Sequence, residues 1–237
     1  MTAEAMVENG DMIVAAAFCP MPPLLHPQAM GPAGGELGNP LRSACAGVLD
    51  RALAQEPDSV LVLGTGCADA VFEPREAGDL CGYGVPVRVG FDGPPDHQRI
   101  HMPLPHTLGS WLLDEAGFTG KRVGLTAGSA APDWSLSRWA VLVMGDGSAR
   151  RTESSPGWYD PDAIPFDDSV LAALASGDAA GLRDLDEGVG ERVMAAGTAA
   201  WRSAGALLAG LSMSPTLHFA DDPFGVYYLV ASWVAPP

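Results

Sequence analysis

Lysine is almost absent from this chain. Lys121 stands alone, arginine supplies the other basic side chains, and 13 basic residues face 29 acidic ones for a formal net charge of −16. A pI near 4.4 works against a nucleic-acid partner, whose phosphates would meet net repulsion, and against adsorption to an anionic membrane surface. Long apolar runs are missing too. Although 47% of the residues are hydrophobic, no uninterrupted stretch approaches the roughly 18 residues of a membrane-spanning helix. Cysteine is scarce: Cys19, Cys45, Cys67 and Cys81 are the only four, and none forms a C-x-x-C pair. A disulfide scaffold is excluded and zinc-ligand spacing is not found. The expectation is a reducing cytoplasm, with thiols mostly buried as small hydrophobes. Met12 to Cys19 has the look of a lipoprotein signal, but the residues before it carry Glu4, Glu8 and Asp11 and no Lys or Arg. A secretory leader opens with positive charge, so this run reads as a buried strand.

What is present is a set of short apolar runs punctuated by 29 glycines and 21 prolines. Residues 12–18, Ser59 to Gly64, Val123 to Thr126, Trp139 to Met144 and Val226 to Val234 read as strands. Between them, Gly31 to Gly38 reads as a connector. Asn39 and Pro40 then open a helix carrying Leu41, Cys45, Val48, Leu49 and Leu53 at helical spacing. Further helices are expected over Pro105 to Gly117, over Asp168 to Ser176 capped by Asp167 and ended by Gly177, over a short stretch capped by Asp178, and over Gly190 to Gly210 as one long Ala-rich element. Residues 68–104 read as irregular around one apolar stretch, Val85 to Val89, and 150–166 as a long loop. With no repeat and no compositional break, the pattern implies a single α/β domain: a central, mostly parallel, largely buried sheet flanked by helices.

In such sheets ligands bind beyond the carboxyl ends of the strands. Three strand ends carry suggestive loops: Cys19-Pro20-Met21-Pro22-Pro23, Thr65-Gly66-Cys67 and Gly145-Asp146-Gly147-Ser148. Parallel neighbours would bring them to one cleft. Pro20, Met21, Thr65, Gly66, Cys67 and Gly147 are then the candidate ligand pocket. Asp146 could orient a ligand or a catalytic hydroxyl, or simply cap a turn; Gly147 allows close backbone approach. The third loop has no lysine, so it is not a phosphate-binding loop, and it lacks the G-x-S-x-G pattern of a nucleophile elbow. His26, just after the first loop and within reach of the presumed cleft, is either an acid/base or ligand residue or an ordinary loop histidine. His97 and His101 lie in a proline-rich segment expected to be exposed, and His218 reads as structural. Cys67 is either a soft nucleophile or a buried thiol. Trp111 and Trp201 read as core.

The order of motifs resembles one family. The opening strand with CPMPPLL, the strand with GTG, VLVMGDGSAR with its long loop to YDPDAIPFD, the Ala-rich AAWRSAGALLAG and the terminal DDPFGVYYLVASW are similar to class III extradiol ring-cleavage dioxygenases of the B type, in particular an actinobacterial branch. The resemblance implies non-haem Fe(II) held by two histidines and a carboxylate, with open positions for a catechol and O₂. It places one ligand histidine where this chain has Met21, a second near Gly66 or Cys67, a carboxylate on the late helix where residues 193–201 hold none, and an acid/base histidine where Ala149 stands.

Three readings follow. The first is a relative that has lost the iron, with no metal ligands and no cofactor expected, which binds a small aromatic or apolar molecule; His26, Asp146 and Ser148 are its candidate catalytic residues. The second is an oxygen-dependent enzyme with a rearranged Fe(II) site using His26, Asp146 and either His101 or His106. The third is metal-free chemistry by Asp146, Ser148 or Cys67, such as hydrolysis. Relatives assemble, so a homo-oligomer is expected, and the aromatic segment Tyr227 to Trp233 would either pair in the sheet or form the interface.

Overall fold

A computed structural model describes residues 12–29, 31–66, 71–72, 76–95, 102–130, 134 and 137–236, with backbone alone for 31–37 and 71–72. Cys67, His97 and His101 lie outside the described residues. The strands are β1 (Ile13–Cys19), β2 (Ser59–Gly64), β3 (Val71–Phe72), β4 (Ala77–Asp79), β5 (Arg88–Gly90), β6 (Lys121–Thr126), β7 (Trp139–Met144), β8 (Ser214–Asp221) and β9 (Tyr228–Val234). The helices are α1 (Gly31–Leu53), α2 (Leu104–Glu115), α3 (Ala163–Ser176), α4 (Ala179–Arg183), α5 (Glu187–Arg192) and α6 (Thr198–Leu207).

The main sheet runs β3-β6-β2-β7-β1-β9-β8. Its centre, β6-β2-β7-β1, is parallel throughout, while β3, β9 and β8 join antiparallel at the two sides. β1, β2, β7 and β9 are buried along their whole length, which is why they read as unbroken apolar runs. Alternation still divides each strand between two faces. Phe18, Leu61, Leu63, Val141, Val143 and Trp233 pack with Val170 and Trp201 beneath α3 and α6. Ala15, Ala17, Val60, Val62 and Leu142 pack with Leu41, Cys45, Val48 and Leu108 beneath α1 and α2. The α/β architecture with a mostly parallel sheet between helices is therefore present. Among the described residues, no helix is long and apolar enough to cross a membrane.

Several boundaries differ from the sequence reading. α1 begins at Gly31, not at Pro40, and carries Pro40 in its interior. The proline removes one helical N–H, but the buried stripe of Leu41, Cys45, Val48 and Leu49 holds the helix to the sheet. Asn39, expected as a cap, accepts instead from Arg42 Nη2 at 2.6 Å. Within 68–104, β4 and β5 form a small antiparallel ladder. α3 starts at Ala163, so Asp167 sits inside it, fully buried, instead of capping it. Asp178 does cap, accepting from Gly181 N at 2.8 Å. The single helix expected over 190–210 is two, α5 and α6, with a corner between them. Of the segment Tyr227 to Trp233, all but Tyr227 lies in β9, between β1 and β8 in the sheet. Trp201 is core, whereas Trp111 is only half-buried. Cys19 and Cys45 are buried, while Cys81 is exposed.

Candidate functional site

Because β7 lies between β1 and β2 in the parallel centre, the loops that follow these three strands leave the same edge of the sheet. Prolines at 20, 22 and 23 have no amide hydrogen. Met21 is thus the one backbone donor in residues 20–23, and it donates to Asp146 Oδ1 at 2.7 Å. Gly145 N donates to Cys19 O at 2.9 Å, so the first and third loops are joined by both main chain and side chain. The Met21 side chain itself is buried.

Asp146 is partly buried. Loss of solvation pushes its carboxyl up to about 7, against the lowering effect of the Met21 N–H. Near neutral pH such a group passes between donor and acceptor. Tyr228, buried at the start of β9, has its phenol pushed up by burial and by the Asp146 charge. Its place in an apolar strand hid it from sequence reading.

Ser148 faces inward. Its N–H donates to Asp167 Oδ1 at 2.9 Å and its hydroxyl to Asp167 Oδ2 at 2.5 Å. Arg151 donates to the same carboxylate at 2.9 Å and to Asp222 at 2.8 Å, with its guanidinium 4.2 Å over the Tyr227 ring. Burial raises the Asp167 carboxyl, and the Ser148 and Arg151 hydrogen bonds oppose that. Gly147 is forced: a Cβ there would lie 2.8 Å from Tyr227 O and 2.9 Å from Asp167 Oδ1. The acidic pair Asp167-Asp168 before an apolar run looked like a helix start, which concealed Asp167 as the anchor of this loop.

The corner between α5 and α6 closes the other side of the loop. Met194 takes the left-handed C′ position, at φ 58°, that glycine usually holds, and Ala195 N reaches back to Gly190 O at 2.8 Å. Gly197 N then donates to Asp146 O at 2.8 Å, and Ala149 N to Val193 O at 3.1 Å. Beside this corner lies an open cavity of about 550 Å³ lined by Thr65, Met194, Ala195, Ala196, Glu187 and Glu191, among others. Thr65 is half-buried and Gly66 exposed.

The three described histidines go elsewhere. His26 packs against Trp111 with tilted rings, centroids 5.2 Å apart, its Nδ1 accepts from Gln28 N at 3.3 Å, and burial lowers its pKa. It shares no hydrogen bond with Asp146. His106 is fully buried behind Gly64, bonded to Leu125 O at 3.0 Å, and burial lowers its pKa to about 4. His218 bonds Ser232 Oγ at 2.8 Å within the β8–β9 ladder.

Fe(II) favours imidazole and carboxylate donors. The loop positions the resemblance singles out present a buried thioether at Met21 and a methyl at Ala149, and Asp146 is already engaged by an amide. No group of three or more His, Cys, Asp or Glu able to hold a metal exists among the described residues. Among the described residues, this donor set does not fit the ion. Fold and site together define an α/β protein with a carboxyl of near-neutral pKa at the end of its parallel strands. Neither a protein-family model nor a curated protein matches the chain.

Proposed function

We propose that this protein is a relative of the class III extradiol dioxygenases of the B type that binds a small aromatic or apolar molecule at the strand-end edge without the family's iron-dependent ring cleavage. The observation that carries this reading is the 2.7 Å hydrogen bond from Met21 N to Asp146 Oδ1. At the position where the resemblance calls for an iron-binding imidazole, the chain offers a thioether. Its main chain meanwhile occupies an oxygen of Asp146, the one carboxylate in these loops. Burial pushes that carboxyl up to about 7, so it holds a proton far more readily than an ordinary carboxylate. This weakens it as a metal ligand and suits it to hydrogen-bond a hydroxyl or carbonyl on a ligand.

The test is anaerobic titration of the purified full chain with Fe(II), followed by a count of bound iron and an assay of catechol consumption in air. The expected outcome is iron well below one per chain after desalting and no ring-cleaved product. One tightly held iron per chain, or catechol turnover that falls in a His26→Ala variant, overturns the reading in favour of an oxygen-dependent enzyme with a rearranged site.

A further inference from the structure

Two side-chain oxygens at the strand-end edge are left unused by the protein. The first is Oδ2 of Asp146. Its Oδ1 receives the Met21 N–H, but among the described residues no donor reaches Oδ2. The second is the hydroxyl of Tyr228. This residue opens β9, and the backbone just before it is sewn to the loop after β7: Gly147 N donates to Tyr227 O at 2.7 Å and Tyr227 N to Ser148 O at 2.9 Å. Alternation along the chain turns the two tyrosines to opposite faces of the sheet. Tyr227 packs on the α3–α6 side. Tyr228 packs on the α1–α2 side, in one apolar cluster with Met21 and Met144, the first bonded to Asp146 and the second two residues before it. The Asp146 charge reaches the phenol, yet no hydrogen bond joins them. Tyr228 is 3% exposed, and a phenol buried this far ordinarily finds a partner. Among the described residues none supplies one. Asp146 is only partly buried, so the space beside these two oxygens opens to solvent. An apolar lining with a few convergent, unsatisfied polar groups is the make-up of a small-molecule site.

We infer that Tyr228 and Asp146 together grip the polar end of the ligand: the Tyr228 hydroxyl donates to a ligand oxygen, Asp146 Oδ2 accepts from an O–H or N–H of the same group, and the apolar part rests on the Met21 thioether. The group recognised is uncharged and carries an acceptor beside a donor, as a carboxamide or an alcohol does. A carboxylate would set a second negative charge beside Asp146 in a molecule of net charge −16, and has no donor to offer. This deepens the proposed function and rests on it for the claim that the strand-end edge takes a small aromatic molecule. It adds the residue that orients that molecule and the chemistry of the end it holds.

Four probes of similar size separate the contributions: benzamide, benzyl alcohol, ethylbenzene and benzoate, each titrated into the full chain at millimolar concentrations and followed by ligand-observed NMR. Benzamide, benzyl alcohol or both are expected to bind, and benzoate is not. Tyr228→Phe keeps the ring and removes only the hydroxyl, so it should weaken the polar probes by about three- to tenfold and leave ethylbenzene unchanged. Tyr83→Phe, at an exposed tyrosine, should change nothing. A response to Tyr228→Phe confined to benzamide assigns the held group to a carboxamide, and one confined to benzyl alcohol assigns it to a hydroxyl; either upholds the grip. Polar probes indifferent to Tyr228→Phe overturn it, as does an equal loss of ethylbenzene, which would make Tyr228 a packing residue, and as does failure of both polar probes to bind. The iron titration on the same preparation reads the other claim separately. Stoichiometric iron with Tyr228-dependent binding removes the proposed function and leaves the grip standing; little iron, with ethylbenzene bound and Tyr228 without effect, removes the grip alone.

Discussion

Gly145 and Gly197 meet backbone to backbone: a methyl group on Gly145 would sit 2.5 Å from the Cα of Gly197. This contact seats the α5–α6 corner on the loop after β7 and lets Gly197 N reach Asp146 O. Gly145→Ala is therefore expected to destabilise the protein by about 1–3 kcal/mol through overpacking of rigid backbone. Gly47→Ala is the control. It lies on the exposed side of α1 with nothing within 4 Å of a new Cβ, and should stabilise by about 0.5–1 kcal/mol. Urea denaturation of the two variants checks the pair; equal effects would refute the contact.

The pH dependence of stability should carry two opposed contributions. Asp146 is raised from 3.8 to about 7, so the native state holds its proton longer than the unfolded chain. Its contribution is complete below about pH 4 and is lost as pH rises toward 7. His106 is lowered from 6.5 to about 4, so its contribution is complete above about pH 6.5 and is lost as pH falls toward 4. Asp146→Asn removes the first and leaves the second. Stability of this variant should rise more steeply with pH between 4 and 6.5 than that of the parent, a difference visible in denaturant midpoints measured across that range. Parallel profiles would show that Asp146 ionises normally.

The Ser148–Asp167–Arg151 cluster gives a graded expectation. Ser148→Ala deletes one donor to a buried carboxylate that keeps the Ser148 N–H and Arg151, and should cost about 1–3 kcal/mol. Asp167→Ala leaves Arg151 with the half-exposed Asp222 as its remaining ion-pair partner and removes both Ser148 hydrogen bonds, and should cost about 3–5 kcal/mol. Denaturant unfolding of both variants tests the order. Were Ser148→Ala the more damaging, the serine and not the carboxylate would be the anchor.

The central strands β1, β2, β7 and β9 were legible because burial on both faces writes them as unbroken apolar runs, whereas β8, largely exposed, and the short β3, β4 and β5 were not. SVLVLG and WAVLVM need no partner to be recognised, and their alternation with helical stripes sets the α/β class. The loops at 20–23, 65–66 and 145–148 were legible for the same reason, since each is a run of Pro, Gly or small polar residues directly after such a strand. What local pattern could not supply is anything decided by contact across the sheet. The Ala-rich stretch 187–207 reads as one helix, yet it breaks in a left-handed turn at Met194 that Ala195 N closes onto Gly190 O, and Asp146 O and Gly145 receive Gly197 beyond it. Asp167 has the local signature of a cap, yet Ser148 and Arg151, 19 and 16 residues away, make it a buried anchor. His26 is near Met21 in the chain, yet its ring pairs with Trp111 on α2. Local pattern thus marks the buried central strands and the loops that leave them, while contacts between distant segments choose which side chains meet there, because hydrogen bonding and burial across the sheet outweigh local preference.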